Sequence, residues 1–149
     1  MTQKEILSNA LKDVLSREYG HAYTHEEMAE LLCCEKQTQP YYMMYSKLYR
    51  LCMEQGKLLE SLPKFGYKVA EPDDHLSLAK RQVKQSVKKA KHATSIMKHA
   101  PTDRMSPVAR EAHQRVSDRY LLLTAKMTEA VTEINKLERQ PRSAIELQC

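Results

Sequence analysis

Seven cationic side chains, Lys80, Arg81, Lys84, Lys88, Lys89, Lys91 and Lys98, fall between residues 75 and 102, and no Asp or Glu lies in that interval. Lys80, Lys84 and Lys88 stand at i, i+4 and i+8, so on a helix they form one row. Like charges at that spacing repel by a few tenths of a kcal/mol per pair. A row kept at that cost suits a polyanion or an acidic protein surface. The competing reading is that acids on another helix neutralise it. His75, His92 and His99 would add charge only below about pH 6.5 and show no metal-ligand spacing.

A second set of polar groups lies on and around a segment starting at Gln39. Lys36, Gln37 and Thr38 precede it, and Gln39, Tyr42, Ser46, Lys47 and Arg50 fall on its expected outer face. Gln, Ser and Arg can reach base edges, and Lys and Thr can reach phosphates. Lys57, Lys64 and Lys68 follow as further candidate phosphate contacts. Tyr42, Met43 and Tyr49 on the same face are the residue types of a protein interface, so docking on a protein is the alternative reading.

Other chemistry is missing from the pattern. There is no Gly-rich phosphate loop, no HExxH and no GxSxG. No catalytic residue, metal ligand or cofactor is assigned. His25 and His113 read as surface histidines. Four cysteines, with no CxxC, read as reduced thiols, which with the absence of an apolar leader suggests a reducing, cytoplasmic setting. No apolar run approaches the roughly 18–20 residues that span a bilayer, so no membrane partner is expected.

The elements that must carry these groups are mainly helical. Three glycines, one Phe and no Trp argue against an all-β chain. Thr2-Gln-Lys-Glu5 and Thr24-His-Glu-Glu27 have capping-box spacing, and each predicts a helix start. The first helix turns Ile6, Leu7, Ala10, Leu11, Val14 and Leu15 inward and stops near Gly20. The second carries Met28, Leu31 and Leu32 and ends around Cys33 and Cys34, at least one of them buried. The third is capped by Thr38, has Pro40 in its first turn, buries Tyr41, Tyr45, Leu48 and Cys52, and stops at Gly56. Two short strands, around Leu58–Leu62 and Phe65–Val69, follow with Pro63-Lys64 between them, and Ala22-Tyr23 can add a third.

Three helices followed by a β-hairpin resemble the winged-helix family. The residues that carry the resemblance are Tyr23-Thr24-His25-Glu26-Glu27-Met28-Ala29, Leu48, Leu51, Gly56, Leu58 and Gly66-Tyr67-Lys68-Val69, within residues 2–71. The resemblance implies a DNA-binding domain over 1–72, with the third helix in the major groove and Lys64 on the wing near the flanking backbone.

Residues 73–140 read as two long antiparallel helices, and 141–149 as a loose tail. Pro72 ends the hairpin, and the next helix turns Leu76, Ala79, Val83, Val87, Ala90, Thr94 and Met97 inward. Ser106-Pro107 opens the last helix, about 33 residues and about 50 Å long. Its apolar positions Val116, Tyr120, Leu123, Met127, Ala130, Ile134 and Leu137 repeat in steps of 4 and 3, a heptad seam. This seam is too long for the preceding helix to cover and points to pairing with a second copy. Residues 1–72 hold 9 Lys/Arg against 10 Asp/Glu, and residues 73–149 hold 15 against 9. The basic character therefore lies outside the predicted reading domain. The expected function is a homodimeric regulator bound to double-stranded DNA. The alternative is a non-enzymatic interaction or inhibitor protein that docks on a larger nucleic-acid-processing complex.

Overall fold

The computed structural model describes residues 1–140, and the predicted tail 141–149 lies outside the described residues. The chain divides into two units, Met1–Ser77 and the part from Leu78 onward.

The first unit contains α1 (Gln3–Ser16), β1 (Ala22–Thr24), α2 (His25–Leu31), α3 (Gln39–Glu54), β2 (Leu59–Leu62) and β3 (Gly66–Val69). The starts of its helices follow local chemistry. Thr2 and Thr24 each complete a capping box with Glu5 and Glu27, and the Thr38 hydroxyl accepts from the Tyr41 N–H. Gly56, at φ +79, ends α3. Its N–H donates to the Met53 oxygen and that of Lys57 to the Cys52 oxygen, the paired bonds of a left-handed helix stop. α1 ends at Ser16, short of the stop expected near Gly20, with Arg17 already extended.

The expected third strand is present. The sheet is antiparallel in the order β1-β3-β2, with Tyr23 opposite Tyr67 and Leu59 opposite Val69. β3 lies in the middle because Gly66 lets β1 come close. A Cβ at Gly66 would sit 2.0 Å from the Tyr23 oxygen. The hairpin closes with the Phe65 N–H on the Leu62 oxygen, and Lys64 takes φ +65 at its tip. One core joins α1, α2, α3 and the sheet through Val14, Met28, Leu32, Tyr41, Leu48, Cys52 and Val69.

Two expectations about side chains, on the Cys33–Cys34 pair and on His25, fail here. Cys33 is exposed and Cys34 half-buried, while Cys52 is the buried thiol. Cys33 takes φ +50 and ends α2, which puts its side chain outside the core. Phe65 is exposed, because the turn rather than the strand holds it. His25 is half-buried, with Nδ1 3.0 Å from the Tyr41 hydroxyl.

The second unit holds most of α4 (His75–Lys98) and all of α5 (Pro107–Arg139), which run antiparallel. The hydroxyls of Thr94 and Thr124 meet at 2.7 Å. His113 Nε2 lies 2.8 Å from the Met97 oxygen, so this histidine bridges the helices instead of standing on the surface. Lys80 pairs with Glu138 at the other end. That pairing places the end of α5 level with Lys80. Leu76, Ala79 and Val83 are exposed against expectation, whereas Val87 is buried as expected and so is Leu78, which the apolar pattern did not turn inward.

Candidate nucleic-acid interface

The predicted contacts of the first unit sort into those free to meet a ligand and those already occupied. Lys57 is occupied: its ammonium donates to the main-chain oxygens of Val14, Leu15 and Arg17. It supplies the charge that the C-terminal end of α1 otherwise lacks, since no basic residue lies in that helix's last turn. Lys68 is held on the sheet by Glu60 at 3.5 Å and Asp74 at 4.0 Å. Lys36 pairs with Glu26, whose carboxyl is drawn below the usual range first of all by that hydrogen bond. Lys47 donates to Gln3 Oε1 at 3.1 Å and lies half-buried against α1. Thr38 is engaged as the cap, and its hydroxyl also donates to the Glu35 oxygen at 2.7 Å. Ser46 donates to the Tyr42 oxygen one turn back.

Lys36, Thr38, Lys47, Lys57 and Lys68, expected as phosphate contacts, are thus each engaged within the chain. Gln37, Gln39, Arg50 and Lys64 remain exposed, and Arg50 and Lys64 have no ion-pair partner among the described residues. The exposed stripe of α3 is Gln39, Tyr42, Met43, Ser46, Arg50 and Met53. Its exposed apolar members, Tyr42 at 48%, Met43 at 53% and Met53 at 51%, outweigh its one cation.

The second unit gathers its cations differently. Arg81, Lys84, Lys88 and Lys91 line a groove of about 500 Å³ between α4 and α5. Val87, Val131, Thr128 and Thr132 also line it, and no carboxylate does. The two threonine hydroxyls are turned back onto the carbonyls of their own helix, at 2.9 and 3.0 Å. The groove wall is thus cationic above and apolar below. Lys84, Lys88 and Lys91 have no carboxylate partner among the described residues, whereas Lys80 is neutralised by Glu138. Neutralisation by a second helix therefore applies at Lys80 but not along the three lysines that follow it. Their levels along α4 differ by about 6 and about 4.5 Å at 1.5 Å per residue.

The predicted seam of α5 does not face α4. The α5 residues shielded by α4 are His113, Ser117, Thr124, Met127, Val131 and Asn135. Of the seam, only Met127 belongs to that set. Val116, Tyr120, Leu123, Ala130, Ile134 and Leu137 are exposed. Thr94 and Thr124 occupy the contact between the helices, where the greasiest stripe of α5 does not lie.

Among the described residues no three His, Cys, Asp or Glu side chains gather into a set that could hold a metal, and no helix is long and apolar enough to cross a membrane. No family model, curated protein or solved structure matches the chain.

Proposed function

We propose that this chain is a non-enzymatic nucleic-acid-binding protein of winged-helix type. Its main grip on duplex DNA is the α4 groove, with Arg50 and Lys64 as secondary contacts from the first unit. The element order and the β1-β3-β2 sheet support the winged-helix reading. The observation that carries the binding reading is the run Lys84, Lys88 and Lys91, which share a groove with no acid in its lining. Three unneutralised lysines can neutralise phosphates and release the cations condensed on the duplex into solution, which favours binding most at low salt. No aromatic side chain lines the groove, so it grips backbone rather than stacking bases. Binding through α4 is accordingly expected to be weakly sequence-dependent, with any discrimination left to Gln39, Arg50 and the α3 face.

The test is fluorescence anisotropy of a random 20-base-pair duplex at low and at physiological salt. Lys84→Ala/Lys88→Ala is expected to weaken binding at least tenfold and to reduce the salt slope by about two. Arg50→Ala/Lys64→Ala is expected to have the smaller effect. Wild-type protein that fails to bind at low salt overturns the reading.

A second reading keeps the same fold and makes α3 a protein-docking face, as in an adaptor or inhibitor of a larger complex. Exposed Tyr42, Met43 and Met53 favour it, because Tyr and Met are enriched at protein interfaces. It gains if both lysine and arginine variants bind DNA as wild type does.

A further inference from the structure

Helical arithmetic makes the α4–α5 hairpin two-faced. At 100° per residue, Lys84, Lys88 and Lys91 lie on one flank of α4's contact with α5, and Ser86, Ala90 and Ala93 lie on the other. On α5, Thr128 and Thr132 flank the contact on the groove side. Val116, Leu123, Ala130 and Ile134 flank it on the opposite side, about 90–100° from the face that meets α4. One side of the hairpin is therefore the cationic groove and the other is apolar. An angle near 90° between two buried faces is what a helix needs when it has two neighbours in a four-helix bundle.

We propose that the apolar side is occupied by a second copy of this chain, with the two α5 helices antiparallel about a two-fold axis at the level of Ala125. This holds whatever fills the cationic groove. The seam is self-complementary in that register: Val116 meets Ile134 of the second copy, Tyr120 meets Ala130, and Leu123 meets Met127. Its charged flank agrees. At 100° per residue Arg119 and Glu133 flank the two halves of the seam, with Arg115 and Glu129 further round on the same side. Antiparallel pairing places Glu133 of one copy between the levels of Arg115 and Arg119 of the other, about 3 Å along the axis from each, and Glu129 about 3 Å from Arg119. Parallel pairing would set Arg119 against its own mate. Lys126, beside the axis, is the unfavourable approach, and Glu129 three residues on offsets it.

The size of the face suits this occupant. A hairpin face about 36 Å long and about 18 Å wide offers roughly 650 Å², near the roughly 800 Å² per partner of a standard interface. Leu123 at 53% and Leu137 at 65% exposure are large apolar groups that such an interface would cover. On the α4 side the residues are small, so the second hairpin can approach closely. The cationic groove of each copy remains on the outside of the pair.

Sedimentation equilibrium of the full chain without DNA tests this. A mass of twice 17.3 kDa at micromolar concentration is expected. Leu123→Lys and Ile134→Lys should each give the monomer mass with helical circular dichroism retained. Arg115→Glu/Arg119→Glu should weaken association at least tenfold, and adding Glu129→Arg/Glu133→Arg should restore it. A monomeric wild type, or a dimer untouched by Leu123→Lys and Ile134→Lys, overturns the proposal. So does failure of the second charge pair to rescue the first. None of these readouts depends on DNA binding, so either proposal can fail alone.

Discussion

The Lys57 ammonium meets the Leu15 main-chain oxygen at 2.9 Å, and through it the start of the hairpin caps the end of α1. A lysine that the sequence offers as a phosphate contact is thereby part of the fold. Lys57→Met keeps the alkyl stem and removes the three donors. It should destabilise the protein by about 1–2 kcal/mol in urea unfolding, the range of a charged hydrogen bond at a helix end. Its DNA affinity per folded molecule should match wild type, which a phosphate-contacting lysine would not allow.

Glycine matters for different reasons at two positions. At Gly66 a Cβ would strike the Tyr23 oxygen and the Thr24 backbone, so Gly66→Ala must push β1 off β3. A loss of about 3 kcal/mol or more is expected, since the obstacle is backbone and cannot turn aside. At Gly56 nothing lies within 4 Å, and only the left-handed φ of +79 resists a side chain. Gly56→Ala should cost about 1 kcal/mol. Thermal unfolding of the two variants should separate them clearly.

The capping boxes make the first unit sensitive to acid. Glu5 and Glu27 have carboxyls drawn below the ordinary value of 4.5, chiefly by the backbone N–H groups of Thr2 and Thr24. A lowered folded-state pKa contributes stability that is complete above the unfolded value and is lost as pH falls below it. Urea midpoints should therefore hold steady above about pH 5 and decline below pH 4.5. Glu27→Gln should flatten that decline, because the variant has no proton to take up.

Thiol reactivity should follow the placement of the cysteines. Burial pushes the Cys52 thiol up to about 11 and removes it from solvent, while Cys33 is exposed. In a Cys149→Ser background, which removes the thiol outside the described residues, a disulfide reagent at pH 8 should titrate Cys33 within seconds and Cys34 more slowly. Cys52 should react only on unfolding.

Local punctuation was legible in the sequence. Thr2, Thr24, Thr38 and Ser106 all cap helices as their spacing predicts, because a capping bond is made within three or four residues. The strand pairing followed from short apolar runs and the turn between them. Partners of individual cations were not legible. Lys57 reaches Leu15 from 42 residues away, and Lys80 reaches Glu138 from 58 away, distances at which spacing carries no information. The α5 seam is legible as an apolar stripe, but the face that meets α4 is not, since Thr94 and Thr124 sit in that contact. Apolar periodicity cannot register a polar contact of that kind.

That contact can be measured. The two hydroxyls lie 2.7 Å apart, so one donates to the other, and the accepting hydroxyl keeps its own proton for a carbonyl: the Ala90 oxygen at 3.3 Å from Thr124 or the Tyr120 oxygen at 3.2 Å from Thr94. Thr94→Val leaves the Thr124 hydroxyl half-buried with one partner fewer, and Thr124→Val does the same to Thr94. Each single variant should lose about 1 kcal/mol. The double variant replaces both hydroxyls with methyls of the same shape and should lose clearly less than the sum. A coupling of about 0.5–1 kcal/mol in the double-mutant cycle is expected. Additive losses would mean that the pairing does not set the rotation of α5, and that its apolar stripe is free to turn toward α4 in solution.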